Sequence, residues 1–350
     1  MRRALGIVAV AVVMAVVVAA GACSSSEPEP GVVPGTTAVP GSAAGTAPTT
    51  VPETTIAAAP EPEPVAAGVL FRDPDMQVGE WVAAHPDDPR MPAIRDRIAA
   101  QPQARWFTDA DPATIAGDVR AYVGPAAAAG QVPVLVLYAI PDRDCGGASH
   151  GGADAFATWQ DWIAGLAEGL GDQRALLVME PDALAQEDCL DAAGARARHA
   201  AIATAVATLR DGAPAAELYL DAGHSNWQPP AEQARRLREA GVLDAAGFAT
   251  NVSNFNTTAD EIAYGQALID ELDAPDLRQV IDVSRNGNGP APDAAWCDPP
   301  GRAIGQAPTL DTGVATVAAY LWVKPPGEAD GCAATPGDFI PALAHTLATG

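Results

Sequence analysis

The sequence predicts an α/β fold, a single β/α barrel, from two observations. Six short runs rich in Val, Leu and Ile are apolar throughout, and a cluster of polar residues follows each of them. Runs without alternation indicate strands that are buried on both faces, as in parallel sheets. Helical patterns separate the runs, and this repeated order of strand, polar cluster and helix is typical of a barrel or a doubly wound sheet.

The barrel is not expected to begin at the first residue, because residues 1–22 resemble a bacterial lipoprotein signal peptide. Arg2 and Arg3 precede the apolar run 4–20, and small residues stand directly before Cys23. A basic start, an apolar middle and small residues before a cleavage point are the marks of export. Cys23 is then the lipidated first residue of a protein held at the outer face of the cell membrane by this lipid alone. The alternatives are an ordinary signal peptide, with release of the protein, or an uncleaved membrane anchor.

Residues 23–67 are predicted to form a disordered linker, and residues 68–350 the folded domain. The linker consists mainly of Ser, Thr, Pro, Gly, Ala and Glu, with few large apolar side chains to offset the entropy of ordering. The length of the remainder suits one large α/β domain. Nothing in the sequence indicates more than a monomer.

The charge and the cysteines exclude several classes of function. The net charge is −24, with 20 Lys and Arg against 44 Asp and Glu, so the chain repels nucleic acid, whereas a neutral substrate is indifferent to it. Four cysteines follow Cys23, and an exported protein usually pairs an even number of them. Their order along the chain leaves three pairings open. No CxxC spacing is present, and we expect neither a metal nor another cofactor.

The apolar runs are expected to bring their polar clusters together. A barrel and a doubly wound sheet both carry the active site at the carboxyl ends of the strands. No glycine-rich phosphate fingerprint follows the first run, which favours the barrel. The helical patterns include 156–170, 202–209 and 262–272. The predicted strands are 132–138, 175–179, 216–220, 247–250, 277–281 and 317–323.

Aspartates stand at three of the strand ends and are the candidate catalytic groups. Asp142 and Asp144 follow the first run, Asp182 the second and Asp330 the last. Aspartate is also favoured in turns and at helix N-termini, which accounts for any one of them but not for their convergence. No Gly-x-Ser-x-Gly elbow accompanies them. Carboxyl groups alone suit glycoside hydrolysis, in which an acid protonates the leaving oxygen and a carboxylate assists water or attacks the sugar.

Tryptophans in polar or turn-rich surroundings are candidates for binding the faces of sugar rings. Trp106, Trp227 and Trp296 lie in such surroundings, the last two close to strand-end clusters. Trp159 lies on a helical stripe instead, and we expect it to pack in the core.

Six segments, in order along the chain, resemble glycoside hydrolase family 6, the cellulases and cellobiohydrolases. The resemblance covers essentially all of 68–350 and implies a distorted β/α barrel that attacks β-1,4-linked glucan with inversion. The segments are 138–145, 177–182, 220–227, 249–254, 284–289 with 296–297, and 322–331.

The resemblance also implies a role for each catalytic residue. Asp182 matches the general acid, and Asp144 matches the aspartate that raises the pKa of that acid and helps to position water. Asp330 matches the position of a base or charge stabiliser. Ser149 is expected to hold the attacking water, and Tyr138 to stabilise a distorted sugar.

The remaining site residues are likewise implied by the resemblance. Arg143 and Arg285 are expected to keep the aspartates oriented and charged. Phe255 stands where relatives often carry tyrosine, which removes one hydroxyl. The family pairing joins Cys145 to Cys189 and Cys297 to Cys332. The residues that match substrate contacts are Trp106, Trp227, Trp296, His224, Asn251, Lys324 and Glu328.

The length of two loops predicts whether the active site is a tunnel or an open cleft. In the family's cellobiohydrolases, long loops after the acid and after the last aspartate roof the site into a tunnel. Here six residues separate Asp182 from Cys189, and Gly331 alone separates Asp330 from Cys332. We therefore expect an open cleft and an endoglucanase. The alternatives are a cellobiohydrolase of the same family and a non-catalytic sugar-binding lipoprotein, against which the three retained aspartates count.

Overall fold

The computed structural model describes residues 69–350. The predicted signal peptide, the lipidated Cys23 and the linker lie outside the described residues. The helices are α1 (Gln77–Ala84), α2 (Met91–Ile94), α3 (Ile115–Ala128), α4 (Phe156–Leu170), α5 (Ala192–Gly212), α6 (Pro230–Glu239), α7 (Thr258–Leu272) and α8 (Pro341–Thr349). The strands are β1 (Val69–Leu70), β2 (Arg105–Phe107), β3 (Gln131–Val132), β4 (Val134–Leu137), β5 (Ala175–Met179), β6 (Ala216–Asp221), β7 (Gly247–Thr250), β8 (Arg278–Asp282) and β9 (Val317–Leu321).

Seven strands form one parallel sheet in the order β2-β4-β5-β6-β7-β8-β9. A parallel sheet of consecutive strands needs a crossover between each pair, and helices α4 to α7 provide four of them. The two edge strands approach each other, because the amide of Ala104 donates to the carbonyl of Trp322 at 2.9 Å. The sheet is thus curled into the distorted barrel that the sequence predicts. The short strands β1 and β3 pair beside it.

The strands are buried on both faces, and their side chains divide between two cores. In β4, Val134 and Val136 point into the barrel, where they meet residues such as Val178 and Val280. Leu135 and Leu137 point outward into the layer between the sheet and the helices. Successive side chains of a strand face opposite sides, so an unbroken apolar run is what such a strand requires.

The chain leaves several strands through left-handed backbone conformations. Asp144, Glu180, Asp182 and Asn251 have φ values of 57°, 51°, 71° and 64°. Such values are uncommon for residues other than glycine and cluster at functional sites, where the surrounding structure holds them. Here they occur where the polar clusters begin. Among the described residues, no helix is long and apolar enough to cross a bilayer.

Candidate active site

A cleft of about 1150 Å³ lies at the carboxyl ends of the strands. It collects side chains from the ends of β2, β4, β5, β6, β7 and β9 and from the long connection between β8 and β9. Twelve of the predicted site residues border it: Trp106, Tyr138, Arg143, Asp144, Ser149, Asp182, His224, Trp227, Trp296, Lys324, Glu328 and Asp330.

Asp182 is half-buried at the end of β5, and no cationic side chain among residues 69–350 pairs with it. Its backbone amide donates to Oδ1 of Asp221 at 3.0 Å, which fixes the turn that carries it. Burial raises the pKa of its carboxyl to about 7, and the negative charge of Asp144 adds to this shift. A carboxyl group with this pKa is about half protonated at pH 7 and is suited to donating a proton.

Asp144 follows β4 and faces the same part of the cleft. Its Oδ2 accepts a hydrogen bond from the amide of Ser149 at 2.7 Å, so the loop folds back around the carboxylate. Gly147 makes this fold possible, because a Cβ atom there would lie 2.5 Å from Oδ2 of Asp144. In this pair, a backbone amide holds the carboxylate of Asp144, and the charge of Asp144 opposes ionisation of Asp182.

Arg143 does not orient an aspartate as we expected. Its guanidinium donates to the carbonyls of Thr108 and Ser149, both at 2.9 Å, and to that of Tyr138. It also lies 4.8 Å from the centre of the Tyr138 ring. The side chain turns back toward its own loop, and there these three carbonyl oxygens rather than a carboxylate accept its hydrogen bonds. Arg143 thus holds the loop and the tyrosine ring. Trp106 packs edge-on against that ring at 5.3 Å.

Asp330 lies in surroundings opposite to those of Asp182. Nη1 of Arg285 contacts both of its carboxylate oxygens, at 2.9 and 2.8 Å, and both side chains are buried. Nζ of Lys324 is 3.9 Å from Oδ1 and donates to the carbonyl of Ala329. Two cations, Arg285 and Lys324, therefore lie beside this one carboxylate. The predicted partnership of Arg285 with an aspartate is present in the structure.

Asp298, in the connection between β8 and β9, also holds the loop of Asp330. The amide of Asp298 donates to Oδ2 of Asp330 at 3.1 Å, and the amide of Asp330 donates to Oδ1 of Asp298 at 2.8 Å. The disulfide Cys297–Cys332 joins the same two segments, and Cys145–Cys189 joins the loops of Asp144 and Asp182. Both bridges are those that the resemblance implies. Each one restrains a pair of loops that carries a predicted catalytic aspartate.

Aromatic and polar side chains line the cleft away from the aspartates. Trp296 is 54% exposed, and its ring is available to the cleft. Trp227 lies 5.3 Å from the ring of His224, and burial lowers the pKa of this histidine to about 4, so it is neutral. Oε1 of Glu328 accepts a hydrogen bond from Gln77 at 3.0 Å, and burial raises the pKa of Glu328 to about 7. Burial lowers the pKa of Lys324.

Asn251 cannot contact substrate, contrary to our expectation. It is fully buried, and its amide nitrogen donates to the carbonyls of Asn256 and Asp282 at 3.1 and 2.9 Å. Its Oδ1 accepts from the amide of Asn256 at 3.0 Å. The side chain braces the turn after β7. Asn254, three residues later in the same segment, borders the cleft instead.

Two buried acids support the site and are not among the predicted residues. Glu180 accepts hydrogen bonds from the amides of Ala139 and Ile140 and from the indole of Trp159 at 2.9 to 3.1 Å. Burial raises its pKa to about 7. Asp221 holds the amide of Asp182, and its pKa is raised well above the usual range by burial and by the charge of Asp182. Both belong to polar clusters at strand ends, which was the signal available in the sequence.

The loop that follows Asp182 packs against the barrel and does not form a roof over the cleft. After Asp182, the side chains of Ala183, Leu184 and Ala185 are buried against the barrel, with 4%, 2% and 1% exposure. Trp227 packs over Gly223, where a Cβ atom would lie 2.8 Å from that of Ala185. The loop therefore packs down onto the strand ends. Among the described residues, no group of His, Cys, Asp and Glu is arranged to hold a metal ion.

Comparison with known proteins agrees with this geometry. The sequence profile of glycosyl hydrolases family 6 matches residues 70–340. The chain is 46% identical to endoglucanase A of Thermobispora bispora over 281 residues, which are 80% of this chain and 61% of that protein. It is 49% identical to endoglucanase 1 of Streptomyces sp. strain KSM-9 over 275 residues, which are 78% of this chain and 76% of that protein. The chain thus spans less than two thirds of the length of the first of these relatives.

A solved structure extends the likeness to three dimensions. The endoglucanase Cel6 from Mycobacterium tuberculosis, in complex with methyl-cellobiosyl-4-deoxy-4-thio-β-D-cellobioside, superposes with a TM-score of 0.76 and 42% sequence identity. The match covers 81% of this chain and 97% of that one.

Proposed function

Because the chain belongs to glycosyl hydrolases family 6, we propose that it is an inverting endo-β-1,4-glucanase, which hydrolyses internal bonds of cellulose or a related β-glucan. The observation that carries this proposal is the contrast within one cleft between Asp182, a carboxyl whose pKa is raised to about 7, and Asp330, a carboxylate beside two cations. Two relatives that are 46% and 49% identical to it are named endoglucanases.

The proposed reaction needs one proton donor and one water molecule. Asp182 donates its proton to the glycosidic oxygen as the bond from that oxygen to the anomeric carbon breaks. Water attacks the anomeric carbon from the opposite face and gives up a proton, with Asp330 accepting it or stabilising the developing positive charge. Asp144 keeps the pKa of Asp182 high and, with Ser149, positions the water. The acid then regains a proton from solvent.

The substrate is held by the faces of its rings and by their hydroxyl groups. Trp106, Trp227 and Trp296 offer apolar ring faces for sugars. Neutral His224, Lys324 and Glu328 offer hydrogen bonds to hydroxyl groups. A neutral polymer enters the cleft without a net electrostatic cost, although the chain carries a charge of −24.

The endo mode of cleavage is supported by the loops that flank the site. Because the segment after Asp182 is packed into the core and the segment after Asp330 is drawn to Cys297 by the disulfide, we infer an open cleft rather than a tunnel. An open cleft admits the middle of a chain. A cellobiohydrolase is the alternative within the family, and it would release cellobiose with little loss of viscosity.

The location of the enzyme is proposed from the sequence alone. We propose that the chain is exported and anchored at the outer face of the cell membrane through lipidated Cys23, and that it acts there as a monomer. Release from the membrane after processing is the alternative. Labelling with a fatty acid, compared between wild type and Cys23→Ser, separates the two.

Viscosity and reducing ends measured together on carboxymethylcellulose test the proposed activity. We expect the wild type to lower viscosity rapidly while few new ends form, and Asp182→Ala to do neither. Slow loss of viscosity with steady release of cellobiose supports the cellobiohydrolase. Absence of turnover on this polymer, on amorphous cellulose and on mixed-linkage glucan rejects the proposed function and leaves the sugar-binding lipoprotein.

A further inference from the structure

Arg198 on helix α5 is one of the most deeply buried charged residues of the described chain, with 1% exposure. Its hydrogen bonds all go to backbone carbonyls. Nη1 donates to the carbonyls of Ala183 and Gln186 at 3.2 and 3.3 Å. Nη2 donates to those of Pro141 and Asp142 at 3.3 and 3.1 Å. One planar guanidinium therefore contacts two separate loops, which its fork of donors suits.

These two loops carry the carboxyl pair of the active site. Pro141 and Asp142 lie three and two residues before Asp144, while Ala183 and Gln186 lie one and four residues after Asp182. Arg198 reaches both loops near their roots at the strand ends. The disulfide Cys145–Cys189 joins the same loops farther out.

A second arginine shows what is particular to Arg198. Arg236 on α6 donates to the carbonyls of Leu184 and Ala185 at 2.9 and 3.2 Å, so it holds the loop of Asp182 alone. Arg198 contacts that loop and the loop of Asp144 together. Its position, rather than its charge alone, distinguishes it.

We propose that Arg198 is a positioning residue of the active site, which fixes the separation between the carboxyl groups of Asp144 and Asp182. The inference rests on the proposed hydrolysis, in which the acid depends on its neighbour. The guanidinium does not touch the reacting atoms and acts through the two loops.

The separation matters because the repulsion between the two carboxyl groups depends on distance. If the loops move apart, the charge of Asp144 opposes ionisation of Asp182 less, and the pKa of Asp182 falls. Loss of a positive charge without loop movement has the opposite effect and raises that pKa. The direction of the change therefore distinguishes positioning from a simple charge effect.

The test compares Arg198→Lys and Arg198→Met with the wild type across pH. Lysine keeps the charge but has a single ammonium group, which cannot span four carbonyls. Arg196→Lys, an exposed position on the same helix, is the matched control. Hydrolysis of a soluble cello-oligosaccharide gives kcat and KM, and a 13C NMR titration of labelled aspartate, assigned with Asp182→Asn, follows the carboxyl of Asp182 without turnover.

We expect both Arg198 variants to lose roughly ten- to a hundredfold in kcat, because small misplacements of catalytic groups are costly. KM should stay within about twofold. The alkaline limb and the NMR midpoint of Asp182 should both move to lower pH, and Arg196→Lys should match the wild type.

Three results would overturn the inference. The first is a folded Arg198→Lys with the wild-type midpoint, and the second is a midpoint that moves to higher pH in Arg198→Met. The third is failure of Arg198→Lys to fold, which assigns the residue to stability instead. If the wild type does not hydrolyse the oligosaccharide, the proposed function fails, while the NMR midpoints still decide the role of Arg198.

Discussion

Asp182 and Asp330 lie at the mouth of the same barrel, but the charges around them differ. Asp182 faces another carboxylate, Asp144, and burial raises its pKa to about 7. Asp330 lies between Arg285, 2.8 Å away, and Lys324, 3.9 Å away. Two identical side chains at one barrel mouth thus have different charged neighbours, and for Asp182 burial and the charge of Asp144 favour the protonated form.

The residues that hold the loops around Asp182 and those that hold the loop of Asp330 also differ in charge. The loops around Asp182 are tied together by hydrogen bonds from neutral amides and by Arg198, whose guanidinium is directed at carbonyl oxygens. The loop of Asp330 is held by a buried ion pair and by reciprocal bonds with Asp298. Single substitutions around Asp182 should therefore change mainly the rate of hydrolysis. Single substitutions around Asp330 should lower the free energy of unfolding as well.

The largest expected effect follows loss of the acid. Asp182→Ala should lower kcat on cellulose-derived oligosaccharides by about 10³-fold, since general acid catalysis contributes 10²- to 10⁴-fold. Release of reducing sugar measures it, and exposed Asp172→Ala is the control. Loss of less than about tenfold would assign the proton donor to another residue.

Breaking the buried ion pair should reduce stability most. Arg285→Met leaves a buried carboxylate with one distant cation, and the free energy of unfolding should fall by about 3 kcal/mol. Urea denaturation measures this change. Arg210→Met, which breaks an exposed pair with Asp244, should cost less than about 1 kcal/mol. Equal losses in the two variants would contradict the contrast.

Removing the neighbouring charge should shift the pH profile. In the wild type, kcat/KM should fall as pH rises through about 7, because Asp182 loses its proton there. Asp144→Asn removes a charge that opposes this loss, so the falling limb should move to lower pH by about one unit. Asp161→Asn, exposed on α4, is the control. A limb that stays in place in Asp144→Asn would show that burial alone sets the pKa.

The smallest effect is expected at Phe255. Its ring lies 4.4 Å from the guanidinium carbon of Arg285, and a tyrosine ring keeps that cation–π contact. Phe255→Tyr should therefore change kcat by less than about threefold, measured on the same oligosaccharides. A larger loss would show that the added hydroxyl disturbs the ion pair.

Much of the barrel was predictable because a strand that is buried on both faces needs a continuous apolar run, which can be recognised in the sequence. The run 175–179 coincides with β5, and the helical pattern 156–170 coincides with α4. The run 132–138 was less accurate, because Pro133 lacks an amide hydrogen and the segment divides into β3 and β4. The two-residue β1 and the three-residue β2 are too short to show a pattern.

The site was predictable where side chains act through their own chemistry. The convergence of the aspartates follows from their positions at strand ends, whereas the partnership of Arg285 with an aspartate was implied by the resemblance. The sequence misassigned Arg143 and Asn251, because only the folded loops show that their donors face backbone carbonyls. Arg198 was not among the predicted residues for the same reason, since it acts on the catalytic loops from a helix.

The central claim, that Asp182 is the proton donor and Asp330 is not, is tested most directly with a leaving group that needs no proton. Hydrolysis of 2,4-dinitrophenyl β-cellobioside and of cellotetraose should be measured with the wild type, Asp182→Ala and Asp330→Ala. We predict that Asp182→Ala stays within about tenfold of the wild type on the activated substrate while losing about 10³-fold on cellotetraose. Asp330→Ala should be impaired on both. Equal loss on both substrates in Asp182→Ala would contradict the account.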